Sequence, residues 1–85
     1  MQLRALDNSL ETNRIGIVVS EKAVSGAVDR NRVKRLVSEA YRLMQDNLAV
    51  GYDLVFIIKT KPDTNHMQYV SDIMHNLFRE AGFLI

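Results

Sequence analysis

Residues 27–42 read AVDRNRVKRLVSEAYR. Two patterns are superimposed on this stretch. Val33, Leu36, Val37 and Ala40, followed by Leu43 and Met44, recur at the i, i+3, i+4, i+7 spacing of a helix laying one stripe on a core. Four of the six residues from Arg30 to Arg35 are cationic, in a chain whose formal net charge is +1. At about 100° per residue, Asn31, Lys34, Arg35, Ser38 and Arg42 fall opposite the apolar stripe, with Arg30 and Arg32 at the edges of that arc. The spacing predicts a helix that ends near Asn47, one face building the core and the other turned outward with its charge. Asp29 falls in the first turn, where a negative charge suits the helix dipole.

The flanks supply the other elements. Met1 to Leu6 alternates apolar and polar residues, the pattern of a half-buried strand. Asp7-Asn8-Ser9 is a cluster of turn formers. Arg14 to Ser20 is β-branched and reads as a second strand, antiparallel to the first, with Gly16 as a bulge or a close backbone approach. Ser25-Gly26 breaks the chain before the helix. Asp53 to Thr60 holds a continuous apolar run, Leu54 to Ile58, bracketed by polar residues, the signature of a strand buried on both faces and parallel to the second strand across the helix. Pro62 stops it, and Asp63, Thr64 or Asn65 caps a last helix. That helix carries Met67, Val70, Ile73, Met74, Leu77, Phe78 and Ala81 on one side and closes at Gly82. The order β-β-α-β-α predicts a single α/β (α+β) two-layer sandwich over residues 1–85, with helices packed on a small mixed sheet.

Composition bounds the chemistry. Eighty-five residues make one domain, and 47% apolar residues are ample for its core. The absence of cysteine excludes disulfides and thiolate metal ligation. The longest apolar run, Leu54 to Ile58, is far short of the ~18 residues a membrane span needs. The N-terminus lacks the basic-then-apolar order of a signal peptide, so the expectation is a soluble cytoplasmic protein. Eleven basic and ten acidic residues nearly cancel, yet Lys22, Arg30, Arg32, Lys34, Arg35 and Arg42 crowd into one segment.

Like charges at helical spacing repel, by roughly a few tenths of a kcal/mol per pair. Only Arg35–Glu39 and Arg42–Asp46, both i, i+4, are placed to relieve this within the helix. An anionic partner accounts for such a face, because the planar arginine fork binds phosphate bidentately. The bland alternative is a solvated basic surface with no partner.

The residues themselves narrow the choice. AVDRNRVKRLVSEAYR resembles the signature helix of the bacterial ribonuclease P protein family, with Arg30, Asn31, Arg32, Lys34, Arg35, Glu39 and Arg42 on the motif and Tyr41 at its aromatic position. RIGIVVSEK, ending at Lys22, is similar to the family's strand leading into that helix, and GYDLVFIIKTKP to its last strand. The resemblance implies the small subunit of a ribonucleoprotein that removes the 5′ leader from precursor tRNA. It implies no cofactor on the protein and Mg2+-dependent hydrolysis by the RNA subunit. Its partners are then the ribonuclease P RNA and precursor tRNA, with no membrane. The implied RNA-binding residues are Lys22, Arg30, Asn31, Arg32, Lys34, Arg35 and Arg42, extended by Lys59 and Lys61. For those two lysines the plainer reading is charge flanking a buried strand.

Three departures from the family pattern stand out. The family's basic, aromatic helix ahead of the first strand has no counterpart, since Met1 already lies in that strand. The expectation is either a mis-assigned start or a natural short form, with half of the leader cleft absent and a sheet face left bare for self-association. Glu21, Ser25, Gly26 and Ser38 occupy positions that are basic in the family, which predicts weaker RNA binding. Leu3, Ala5, Ile15 and Ile17, taken as the cleft lining, offer no aromatic platform for stacking a leader. These departures also fit a degenerate, non-catalytic RNA-binding or protein-interaction module that kept the basic helix.

No catalytic or metal constellation competes. His66 and His75 are nine residues apart on the last helix and out of register as a ligand pair, and His75 reads as a surface residue. Asp63 and Asp72 read as a cap and a solvated face. Tyr41 and Tyr52 read as half-buried anchors, and Met44, Met67 and Met74 as core fillers.

Overall fold

A computed structural model describes residues 1–62 and 67–84. The caps expected at Asp63, Thr64 and Asn65, and His66, lie outside the described residues. Strands β1 (Gln2–Asp7), β2 (Arg14–Val19) and β3 (Tyr52–Ile58) and helices α1 (Ala27–Met44) and α2 (Met67–Ala81) follow in the order β1-β2-α1-β3-α2. One turn of 3-10 helix, Gln45–Asn47, extends α1 to the expected end.

The sheet order is β1-β3-β2. β3 pairs antiparallel with β1, from Gln2↔Ile57 to Asp7↔Tyr52, and parallel with β2, from Arg14↔Asp53 to Val19↔Ile58. β1 and β2 thus run in opposite directions as expected but do not pair, because β3 inserts between them. The parallel pair needs a long crossover, and α1 supplies it. Gly16 stands opposite Val55 in an unbroken ladder. It is neither a bulge nor a close approach, since a Cβ there would lie an ordinary 3.9 Å from Val55.

Both helices pack on one face of the sheet. Leu54, Phe56 and Ile58 are buried there, while Asp53, Val55 and Ile57 between them face the other way and are half-buried. β3 is therefore not buried on both faces, and its unbroken apolar run reflects a central strand whose second face is only partly shielded. Val33, Val37, Ala40 and Tyr41 of α1 and Val70, Met74 and Phe78 of α2 complete the core. Tyr41, Phe56 and Phe78 form an aromatic trio with ring centroids 5.8–6.5 Å apart, and the Phe56–Phe78 contact is edge to face. Tyr41 is more deeply buried than its sequence position suggests. Leu43, counted in the apolar stripe, is exposed, because it falls past the edge of the surface that α1 shares with the sheet and α2.

Local chemistry closes the elements. The Ser9 and Leu10 N–H groups donate to the Asp7 and Asn8 side chains, 2.8 Å each, so the turn formers act through their carboxylate and amide. α2 stops where Gly82 adopts φ 77°. There the Phe83 N–H donates to the Phe78 carbonyl and the Gly82 N–H to that of Arg79, the paired bonds of a Schellman cap.

Candidate nucleic-acid interface

α1 is pinned by its buried side, so its outer side is fixed in space. Asn31, Arg32, Lys34, Arg35, Ser38 and Arg42 are all exposed. From Arg30 to Arg42 the helix rises about 18 Å, at ~1.5 Å per residue. Among the described residues, Asn31, Arg32, Lys34 and Arg35 make no side-chain hydrogen bond or ion pair within the fold.

Arg30 is placed differently. Its guanidinium donates to the Val24 carbonyl at 3.2 Å and approaches Glu21 at 3.9 Å, and its side chain is 22% exposed. It ties the β2–α1 loop to the helix start. Glu39 was expected to pair with Arg35, and Arg42 with Asp46. Instead Arg42 forks onto Glu39 at i, i+3, with its Nε 3.0 Å from Oε2. Both i, i+3 and i, i+4 neighbours share a face of the helix, and Glu39 takes the nearer-turn partner Arg42. These hydrogen bonds hold the Glu39 carboxyl below the usual carboxylate range and raise the Arg42 guanidinium.

The remaining predicted cations gather at one end of the sheet. Val19 and Ile58 are register partners. The turn carrying Lys22 after β2 and the segment carrying Lys59 and Lys61 after β3 therefore leave the sheet at the same end. α1 begins from that end as well, and all three lysines are exposed. The fold thus joins separate stretches of sequence beside the N-terminal half of the cationic helix.

The open face of the sheet carries Gln2, Arg4 and Leu6 from β1, Asp53, Val55 and Ile57 from β3, and Arg14, Gly16 and Val18 from β2. Leu6 is 71% and Val18 52% exposed. Leu3, Ile15 and Ile17, taken from sequence as cleft lining, instead pack against the core, and Ala5 lies exposed at the edge of the same side. The strand alternation was legible, but not which of its two faces the helices cover. Among the described residues, the strand positions on the open face include no aromatic side chain.

One feature of the helix escaped the sequence reading. Val28 is 79% exposed in the midst of the cationic side. With Asn31, Arg32 and Arg35 it lines a shallow concavity of about 230 Å³. Their i, i+3, i+4, i+7 spacing is the signal in the sequence that places them on one ridge. His75 is exposed as expected, and Met74 is in the core with Met44 and Met67 packed against it. Among the described residues no cluster of three or more His, Asp or Glu side chains is placed to hold a metal ion, and no helix is long and apolar enough to cross a membrane.

A mixed three-stranded sheet backed by two helices, one of them with an exposed cationic outer face, defines a small α+β domain. The ribonuclease P family model matches residues 1–82. The chain belongs to the ribonuclease P protein family. It is 42% identical over 76 residues to the ribonuclease P protein component of Clostridium novyi, covering 89% of this chain and 66% of that protein. It is 45% identical over 75 residues to that of Clostridium acetobutylicum, covering 88% and 62%. The chain thus spans just under two thirds of the length of these relatives. The fold superimposes on the RNase P protein of Thermotoga maritima with a TM-score of 0.80 at 28% identity, covering 92% of this chain and 74% of that one.

Proposed function

We propose that this chain is the protein subunit of ribonuclease P, docking on the catalytic RNA through α1 and assisting removal of the 5′ leader from precursor tRNA. The observation that carries the reading is the outer face of α1. Asn31, Arg32, Lys34 and Arg35 project from a rigid helix with no partner among the described residues. The helix backbone fixes where these side chains start, so only their own rotamers are ordered on meeting phosphate, and each contact releases counterions. Arg42 extends the track once Glu39 yields it, while Lys22, Lys59 and Lys61 widen it at the N-terminal end of α1. Arg30 adds its charge there while holding the loop.

In this reading the RNA subunit performs the Mg2+-dependent hydrolysis, and the protein contributes binding and orientation with no cofactor of its own. Its place of work is the cytoplasm, where precursor tRNA is made. The open sheet face is available to precursor tRNA or to a second copy of the chain, and its aliphatic lining makes stacking of leader bases weak. That lining also favours the second reading, an RNA-binding module without a part in cleavage.

The test is cleavage of precursor tRNA by the cognate RNA subunit at low Mg2+, with and without the chain, beside an Arg32→Ala, Arg35→Ala double variant. Stimulation that disappears in the double variant supports a working subunit. RNA binding lost in the variant, but no stimulation by the wild type, leaves the second reading. No RNA binding by the wild type overturns both.

A further inference from the structure

The Val28 concavity is ill suited to phosphate alone. Valine offers an anion nothing, yet Val28 is 79% exposed at the N-terminal end of a ridge whose other members a phosphate would favour. Asn31, Arg32 and Arg35 complete the lining from successive turns of the same ridge. Each brings a different capacity. The Val28 side chain gives an apolar floor. The Arg32 and Arg35 guanidinium planes are surfaces on which an aromatic ring stacks, and they carry charge for its backbone. The Asn31 amide has both donors and an acceptor, the complement that a base edge presents.

We propose that this concavity accepts one unstacked nucleobase from a looped or single-stranded segment of the bound RNA, the adjoining phosphates lying on Arg32 and Arg35. The proposal rests on the reading that α1 docks on RNA. It adds that the contact reads a base face as well as backbone charge. A regular A-form duplex does not offer that face, because its bases are stacked inside the helix. α1 therefore distinguishes irregular RNA from duplex of equal charge.

The test uses two probes of equal length and charge, a uridine oligoribonucleotide and the same oligomer with abasic riboses. Binding is measured by fluorescence anisotropy across a salt series, for the wild type, Val28→Ser, Asn31→Ala and the Arg32→Ala, Arg35→Ala double variant. The wild type is expected to bind the base-bearing probe roughly three- to fivefold tighter. Val28→Ser should erase that preference while leaving abasic binding and the salt slope as they were. Val28 is exposed, so the variant folds, and an unchanged thermal midpoint verifies it. Equal wild-type binding of both probes overturns the base pocket, as does a preference that survives both Val28→Ser and Asn31→Ala. In either case RNA docking still stands if the double variant weakens binding of both probes. If the double variant changes neither, docking through α1 fails and the pocket with it.

Discussion

The Arg30 guanidinium hydrogen-bonds the Val24 carbonyl at 3.2 Å, across the loop that joins β2 to α1. Val24 is buried in the core, and no side chain caps the start of α1. This bond therefore sets where the helix begins and how its cationic face is aimed. Arg30→Ala should lower stability by about 1–2 kcal/mol, the worth of a charged hydrogen bond to a carbonyl. The thermal midpoint of a chain this size would fall by roughly 4–8 °C per kcal/mol. RNA affinity should drop with a salt-slope change well short of the roughly one full unit by which Arg32→Ala should flatten it, because Arg30 is partly engaged within the fold. A slope change for Arg30→Ala equal to that for Arg32→Ala would make Arg30 a phosphate contact instead.

Glu39 holds the guanidinium of Arg42 at the far end of the same face. RNA phosphate must compete with that carboxylate. Glu39→Gln removes the competitor and frees the cation, so RNA binding should tighten and the salt slope steepen by up to about one unit. Filter binding over a salt series reads both. Weaker binding in Glu39→Gln would show that the carboxylate orients Arg42 for the RNA rather than withholding it.

Element order, the parallel β2–β3 pair and the two-sided character of α1 were legible because each rests on local periodicity. Val33, Val37 and Ala40 announce a buried stripe in any context. Three features were not legible, for one physical reason. The insertion of β3 between β1 and β2, the choice of Leu6 and Val18 rather than Leu3 and Ile17 for the bare face, and the inward turn of Arg30 all depend on what lies across the fold. Periodicity specifies that a strand has two faces, not which one receives the helices. Composition shows that Glu39 and Arg42 carry charge, but the i, i+3 pair wins over Arg35–Glu39 through side-chain direction on the helix.

Asp53 predicts a pH response at the opposite end of the sheet from the basic cluster. Arg14 forks onto its carboxylate with two 2.8 Å hydrogen bonds, and the Asn8 amide adds a third at 3.0 Å. The Arg14 hydrogen bonds, followed by that from Asn8, hold the Asp53 carboxyl below its ordinary value of 3.8. The carboxyl is lower in the folded chain than in the unfolded one, so its stabilisation is complete above the ordinary value and is lost as pH falls through the folded value. Asp53→Asn should be less stable at neutral pH, and the two thermal midpoints should converge in acid. Solvent exposure of the pair keeps the gap modest and sensitive to salt. A gap constant from neutral to strongly acid pH would remove Asp53 from the account.

Two glycines that look alike in sequence should respond oppositely to alanine. Gly51 is buried with φ 97°, and a Cβ there would lie 3.0 Å from the Leu10 carbonyl oxygen, which is backbone and cannot swing aside. Its own carbonyl accepts the Asn8 N–H at 2.9 Å, so the β1–β2 turn leans on this residue. Gly51→Ala should cost about 1–3 kcal/mol, through strain at a backbone conformation that L side chains disfavour. Gly16 lies mid-strand on the open face, where an added Cβ meets Val55 at an ordinary 3.9 Å. Gly16→Ala should be neutral or stabilising by up to ~1 kcal/mol, since alanine loses less freedom in a strand. Urea unfolding with equal m-values separates the two. The cationic face of α1 points away from the open sheet face, so binding of duplex RNA to α1 should be unchanged in Gly16→Ala. A large loss of stability in that variant would mean that the open face is packed more tightly than its exposed Val18 and Leu6 indicate.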